Sequence, residues 1–225
     1  MKLIAIETAA EACSAALYLS GDISIRYKIL PRGHSESILE MVDDLLREAN
    51  LTPASLDAVA FGRGPGSFTG VRIATGVIQG VAFAADLPVV GVSTLAALAQ
   101  RTYREKGERK LLTAFDARMG ELYWAGYRVG EKELVVPAIP EQVGSPQQVE
   151  IPHDDEWYGV GSGWRAYSEQ LEQRLRGTLL GFKAEIYCSA RDIASLAAAD
   201  YQAGLAVAPE HALPVYLRNQ VTNKL

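Results

Sequence analysis

The segment from Ala58 to Leu98 constrains the fold more tightly than any other part of the chain. It opens with a short apolar run, residues 58–61, which is too short for a helix and indicates a buried strand. A glycine-rich turn follows, and apolar residues then recur at helical spacing from about Phe68 to Ala85. Asp86-Leu87-Pro88 ends this helix, and Val89 to Val92 is predicted to be a second buried strand. A strand, a helix and a strand in this order predict a parallel pair joined by a right-handed crossover.

The turn inside this unit, residues 62–67, reads Gly-Arg-Gly-Pro-Gly-Ser and leaves two interpretations open. A glycine turn that feeds a helix N-terminus can bind phosphate, because free backbone N–H groups and the helix dipole point at the ligand. This turn lacks the Lys-[Ser/Thr] ending of a P-loop and the G-x-G-x-x-G order of a dinucleotide fold. A tight turn between packed elements is therefore the favoured interpretation.

Three glycines lie within the helix predicted for residues 68–85, namely Gly70, Gly76 and Gly80. Glycine weakens an isolated helix, so these positions indicate that another backbone packs very close to this one. Ser67 or Thr69 is expected to cap the helix.

The composition describes a folded globular chain and argues against unaided binding to nucleic acid. Of the 225 residues, 48% are hydrophobic and 22% are charged, as in ordinary globular proteins. The net charge is −5, whereas phosphate contacts need clustered Lys and Arg. Cys13 and Cys188 form no C-x-x-C motif and are predicted to be small buried thiols. No signal peptide is visible, and the most apolar window, near residues 70–92, contains charges and a proline. A cytoplasmic protein without a membrane span is predicted.

Nine consecutive residues at the start of the predicted helix carry a resemblance to a known family. They are Gly64, Pro65, Gly66, Ser67, Phe68, Thr69, Gly70, Val71 and Arg72. Together with Gly-Val-Ser-Thr-Leu at 91–95 and Ile-Ala-Ile-Glu-Thr at 4–8, this motif resembles the bacterial TsaB family, also called YeaZ. The family belongs to the actin-like, sugar-kinase-like ATPase superfamily. Its members are the non-catalytic partner of TsaD in making threonylcarbamoyladenosine beside the tRNA anticodon.

The resemblance implies an α/β fold of two ribonuclease H-like domains, each with a mixed sheet flanked by helices and with a cleft between them. We place the N-terminal domain at 1–105 and a smaller, divergent domain at 106–225, with a C-terminal tail that can pack back on the first domain. The composition of residues 137–155, rich in Pro, Gln and acids, predicts a loop with little regular structure.

Two predicted helices, about 35–49 and 68–85, carry more apolar surface than is needed to cover the face of a sheet. The resemblance implies that this face packs against TsaD or against a second copy, and that the TsaE ATPase joins the larger complex. The resemblance also implies that tRNA is reached only through the complex. The residues predicted for this interface are Ile38, Val42, Leu45, Val77 and Val81. The alternative is that both apolar surpluses are buried inside the monomer.

The chain departs from catalytic relatives at residues 93–98. TsaD proteins carry two metal-binding histidines there, whereas this sequence has Thr94 and Leu98, and neither replaces an imidazole ligand. The turn after the first strand has Glu7 where the superfamily uses Asp, and Glu11 would repel a phosphate there. We therefore predict no catalytic residue, no metal and no cofactor.

A few residues leave an enzymatic alternative open. Gly161, Ser162 and Gly163 follow a predicted strand and are the second-best candidates for contacting a nucleotide. Asp116 and Arg118 either face the cleft or pair with each other. The alternative function is an autonomous ATPase or kinase-like enzyme that uses the interdomain cleft. A peptidase is disfavoured because no G-x-S-x-G or H-E-x-x-H motif is present.

Overall fold

A computed structural model describes residues 1–30, 32–152 and 156–218 of the chain. Its strands are β1 Lys2–Glu7, β2 Ala12–Leu19, β3 Asp22–Ile29, β4 Ala58–Gly62, β5 Val89–Val92, β6 Lys110–Arg118, β7 Glu121–Val129, β8 Val135–Gly144, β9 Trp157–Val160 and β10 Leu179–Lys183. Its α-helices are α1 His34–Glu48, α2 Phe68–Ala85, α3 Thr94–Lys106, α4 Ser162–Arg174 and α5 Ala190–Gln202. Two short 3₁₀ turns span Pro53–Ser55 and Pro209–His211.

The first sheet has the strand order β3-β2-β1-β4-β5. β1 pairs antiparallel with β2 and parallel with β4, and β4 pairs parallel with β5. The strand–helix–strand unit predicted from residues 58–92 is therefore present as a parallel pair connected through α2. Alternate residues of β1 enter different cores, because Ile4 and Ile6 point to one face of the sheet while Leu3 and Ala5 point to the other.

The second sheet repeats this plan with the order β10-β9-β6-β7-β8. β6 pairs antiparallel with β7 and parallel with β9, as β1 pairs with β2 and β4. β9 and β10 complete the repeat as a parallel pair. The predicted fold class, two α/β units with mixed sheets flanked by helices, is confirmed.

The two sheets share a core through the helices between them. α3 and α5 lie in that layer, and their buried residues join side chains from both sheets in one apolar cluster. α1 and α2 cover the other face of the first sheet, and α4 covers the other face of the second around Trp124, Trp157 and Trp164. α5 packs on the first sheet although it lies after residue 105, so the division at 105–106 stays a prediction.

Segment 137–155 differs from its sequence-based interpretation. Its first part is the end of β8, which pairs with β7, so the predicted loop begins about eight residues too early. β8 is an edge strand, and an edge strand tolerates Pro137 and Pro140 because it needs backbone donors on one side only. Residues 153–155 lie outside the described residues.

Helix α2 is apolar around most of its circumference. Among the described residues, this helix alone has the length and composition that would suffice to cross a bilayer, a test that the core helices of soluble proteins also pass. One side of it packs on β4, but only 33% of its residues are buried. Much of its apolar surface is therefore uncovered within one chain.

Candidate functional site

The N-terminus of α2 sits directly on the turn that follows β1. The backbone N–H of Ser67 donates to the Ala9 carbonyl at 2.8 Å, and the Thr8 hydroxyl donates to the Gly70 carbonyl at 2.7 Å. A Cβ on Gly70 would overlap the Thr8 carbonyl oxygen, and one on Gly66 would crowd the Ala9 carbonyl. The glycines thus let the β1–β2 turn pack closely on the start of α2, and the Ser67 N–H is already bonded within the chain. The favoured interpretation of this motif, a tight turn between packed elements, agrees with this geometry.

The second glycine turn, Gly161-Ser162-Gly163, is closed in the same way. A Cβ on Gly161 would overlap the Ala114 carbonyl oxygen of β6, and one on Gly163 would lie 2.7 Å from the Ala114 Cβ. The Ser162 hydroxyl accepts a hydrogen bond from the Asp116 N–H at 3.2 Å. These glycines therefore permit close packing of α4 on β6.

Glu7 is the most unusual charged residue of the site region. Its side chain is fully buried at the end of β1, where Oε1 accepts a hydrogen bond from the Ala9 N–H at 2.5 Å. Its Oε2 has no partner within the described part of the chain, and it lies where a Cβ on Gly62 would be. Burial raises the pKa of Glu7 to about 7, against the opposing effect of the Ala9 N–H.

Three of the five predicted interface residues are not available to a partner. Ile38, Val42 and Leu45 are 0%, 6% and 2% exposed and belong to the core between the first sheet and α1 and α2. Sequence periodicity identified the apolar stripe of α1 correctly, but it could not tell which flank of that stripe faces the sheet. Val77 and Val81 are half-buried at the edge of the same core.

The uncovered apolar surface lies instead on the opposite side of α2 and on the flank of α1. Leu39 is 54% exposed and Phe83 is 62% exposed. Leu39 also lines a groove of about 500 Å³ between α1 and the Pro53–Ser55 turn. We call this the helix face; its members are Leu39, Ile73, Gly76, Val77, Gly80, Val81 and Phe83. The sequence predicted the correct two helices, but it did not predict which side of each helix is exposed.

Gly76 and Gly80 stand at the centre of the helix face. Apart from the adjacent residues and the helix's own backbone, no atom of the described chain lies within 4 Å of a Cβ built on either residue. The prediction that another backbone packs close to all three glycines of α2 therefore holds within the chain for Gly70 alone.

A second surface is the cleft between the two halves, with a volume of about 1290 Å³. At its rim the Phe68 and Tyr216 rings lie 5.7 Å apart, and the Arg72 guanidinium lies 3.7 Å above the Phe68 ring. The Arg72 Nε donates to the Tyr216 hydroxyl at 3.0 Å. We call these three residues the aromatic–arginine stack. Sequence analysis named Phe68 and Arg72 only as members of the nine-residue motif. It gave no signal that Tyr216, 144 residues after Arg72, lies beside them.

Tyr216 is placed by the C-terminal strap, residues 205–218, which returns to the first sheet. Gln79 of α2 donates to the carbonyls of Pro209 and Ala212, each at 3.2 Å. Val215 N–H donates to the Arg63 carbonyl at 2.8 Å, and Arg218 pairs with Glu121 of the β6–β7 hairpin. The strap thus contacts the first sheet through Val207 and Val215 and the second through Arg218, and the domain division stays a prediction.

The remaining candidates have structural partners. Asp116 and Arg118 pair with each other at 3.0 Å at the cleft. Thr94 and Leu98 are fully buried, and the Thr94 hydroxyl accepts from the Gly64 N–H at 3.1 Å. The described residues contain no cluster of three or more His, Cys, Asp or Glu side chains suited to a metal.

Comparisons with known proteins identify relatives of this chain. Residues 25–221 match the family model described as TsaD, tRNA N6-adenosine threonylcarbamoyltransferase. The chain is 42% identical to the tRNA threonylcarbamoyladenosine biosynthesis protein TsaB of Escherichia coli K12, over 100% of this chain and 97% of that protein. The chain belongs to the TsaB (YeaZ) family.

Other members of the family agree with this assignment. The Haemophilus influenzae protein of the same description is 38% identical over 100% of this chain and 96% of its own length. The solved structure described as YeaZ from Pseudomonas aeruginosa is 46% identical, with a TM-score of 0.90 over 96% of this chain and 99% of that one. A further Pseudomonas aeruginosa structure, described as similar to peptidase YEAZ, is 44% identical with the same TM-score and coverage. The TsaB (YeaZ) family predicted from the nine-residue motif is confirmed.

Proposed function

We propose that this chain is a non-catalytic subunit in tRNA threonylcarbamoyladenosine biosynthesis that acts by binding a TsaD-type subunit through the helix face. The Escherichia coli and Haemophilus influenzae relatives are described as biosynthesis proteins of this modification. The observation that carries the proposal is the uncovered apolar side of α2, where Phe83 is 62% exposed. An apolar patch of this kind on a folded chain marks an interaction surface.

The glycines specify what kind of partner the face accepts. Gly76 and Gly80 are four residues apart and so lie on one side of α2, with open space above both. Missing side chains let a second helix approach closely, and flanking residues such as Val77 and Phe83 then contact that helix on either side. Burial of one such large apolar side chain stabilises a complex by about 1.5–3 kcal/mol. The same face serves a second copy of the chain, so a homodimer and a heterodimer with TsaD compete for it.

A non-catalytic role is supported by the residues at the positions of the superfamily's reaction site. Backbone of Thr8 and Ala9 packs against the first glycine turn, and Ala114 packs against the second. At the positions of the TsaD histidines, Thr94 has a hydroxyl that already accepts a hydrogen bond from the Gly64 N–H, and Leu98 has a buried alkyl side chain. The proposal assigns metal and nucleotide chemistry to TsaD and TsaE, tRNA contact to the assembled complex, and the location to the cytoplasm.

A peptidase has no support from the two cysteines. Burial raises the pKa of Cys13 to about 11 and that of Cys188 well above its usual range. Both are thiols rather than nucleophilic thiolates at neutral pH. An autonomous ATPase, the alternative function, needs a phosphate cradle, and at each candidate turn one polar group is already bonded within the chain: the Ser67 N–H at the first and the Ser162 hydroxyl at the second.

The test is size-exclusion chromatography with light scattering, on the chain alone and mixed with TsaD. The double variant Val77→Glu with Phe83→Glu places charges on both sides of the glycines. Its matched control is Leu180→Glu, since Leu180 is 53% exposed on β10, away from the helix face. Circular dichroism and urea unfolding establish that each variant is folded.

We expect the wild type and Leu180→Glu to associate, and the double variant to remain a folded monomer that does not join TsaD. A folded double variant that associates as the wild type does would overturn the proposal. A change at Leu45 cannot serve this test, because Leu45 is 2% exposed and a charge there would unfold the core.

A further inference from the structure

We infer that the rim of the interdomain cleft binds single-stranded RNA, with a base stacked on Phe68 and backbone phosphates held by arginines around the rim. This inference rests on the proposed function, since it assigns to this chain a share of the RNA contact made by the complex. It concerns the cleft and not the helix face.

The first observation is the sign of charge in the cleft. Four arginines line it, Arg32, Arg72, Arg118 and Arg218, against the carboxylates of Glu11 and Asp116. The chain as a whole carries a net charge of −5. A concentration of positive charge in one groove of an acidic protein is the electrostatic feature expected where a polyanion binds.

The second observation is the aromatic–arginine stack. Phe68 and Tyr216 are 51% and 44% exposed, although the Arg72 guanidinium lies against the Phe68 ring. Arg72 has no carboxylate partner within residues 1–30, 32–152 and 156–218. Exposed aromatic rings beside arginines are the platform on which unpaired bases stack, because every base has a π-face.

The arginines differ in how available their guanidinium groups are to bind a phosphate. The Arg118 side chain is 85% exposed, and its pair with Asp116 is a surface ion pair of small net stability, so a phosphate can replace that carboxylate at little cost. Arg218 is 17% exposed and holds the strap to Glu121, so its role is to position Tyr216. Arg32, Arg72 and Arg118 are therefore the phosphate contacts.

The contacts made at the two glycine turns favour a strand of RNA over a free nucleoside triphosphate. A nucleoside triphosphate needs a cradle of backbone N–H groups around its terminal phosphates. The Ser67 N–H at the first turn already donates to the Ala9 carbonyl, and the Ser162 hydroxyl at the second already accepts from the Asp116 N–H. The arginines line an open cleft of about 1290 Å³, which has room for successive backbone phosphates.

The experiment measures fluorescence anisotropy of a labelled twelve-residue oligoadenylate on titration with the full chain, at several KCl concentrations. Phe68→Leu tests stacking, and Phe83→Leu is its control, an exposed phenylalanine of the same helix outside the cleft. Arg118→Gln tests a phosphate contact, and Arg165→Gln is its control, an exposed arginine paired with Glu185 outside the cleft. Circular dichroism follows folding throughout.

We expect Phe68→Leu to weaken binding at least about fivefold. Arg118→Gln should weaken binding and lower the slope of log K against log salt by about 0.7. Both controls should bind as the wild type does. Absence of oligoadenylate binding by the wild type, or equal losses in the controls, would overturn the inference. Competition by AMP at equal nucleotide concentration would overturn it too, because it would assign the groove to free nucleotides.

Failure here is distinguishable from failure of the proposed function. Association with TsaD is measured by light scattering and depends on the helix face, whereas Phe68→Leu leaves Val77 and Phe83 in place. A chain that joins TsaD but binds no RNA refutes only this inference.

Discussion

Replacement of Glu7 by Gln tests whether a buried carboxylate makes the fold pH-dependent. Burial raises the pKa of Glu7 from 4.5 to about 7, and one pKa unit corresponds to about 1.36 kcal/mol. The shift of about 2.5 units therefore corresponds to about 3 kcal/mol. Between these two pH values the folded state binds more protons at this residue than the unfolded state does. Its contribution to stability is thus fully present below pH 4.5 and is lost as the pH rises through 7.

The assay is urea unfolding of the wild type and of Glu7→Gln at intervals from pH 4.5 to pH 8.5. Titration of all other groups contributes equally to both proteins, so the difference in unfolding free energy isolates Glu7. We expect Glu7→Gln to gain about 3 kcal/mol relative to the wild type across this range. Glu11→Gln, which removes an exposed carboxylate from the same turn, is the control for charge loss. A difference that stays constant, or that falls as the pH rises, would refute the reasoning.

Two further predictions concern other parts of the fold. Gly76→Ala with Gly80→Ala should stabilise the monomer by about 1 kcal/mol per site in urea unfolding, because alanine favours a helix and nothing in the described chain opposes the added methyl groups. The same variant should weaken association in light scattering, and unchanged association would mean that no second helix comes close there. Arg104→Met should cost about 3 kcal/mol, because Asp192 is 1% exposed and loses its bidentate partner, with both N–O distances 3.0 Å. Adding Asp192→Leu should restore most of that loss, and a double variant as unstable as the single one would contradict this account.

Much of the first sheet could be predicted because its signals are local. Residues 58–92 alternate between short apolar runs and a helical period, and α2 begins and ends at the residues that capping and turn chemistry predict. β10 was not predicted, since its five residues include Gly181 at a register shift and have no strand alternation. The end of β8 was predicted as the first part of the loop at 137–155, because its prolines argue against a strand and are tolerated only at the edge of a sheet.

The candidate sites depend on contacts between distant residues, which a single sequence does not record. Nothing near Phe68 predicts that Tyr216 will stack beside it, because the strap that brings Tyr216 there is positioned by Gln79 and Arg63. The interface prediction was wrong at Ile38, Val42 and Leu45 for a related reason. Helical period gives the width of an apolar stripe, whereas the tertiary fold decides which part of the stripe the sheet covers.

The glycines of α2 connect the fold to the proposed function. Gly70 brings the start of the helix close to the Thr8 carbonyl, and the Thr8 hydroxyl donates to the Gly70 carbonyl. Gly76 and Gly80 lie on the same helix, one and a half to three turns further on, and no contact within the described chain requires a glycine at either position. Since glycine inside a helix costs about 1 kcal/mol relative to alanine, two such residues on an uncovered face need a reason outside the monomer. The proposed approach of a partner helix would supply that reason, and it would explain why α2 packs closely on the chain at its start and leaves an uncovered apolar face beyond it.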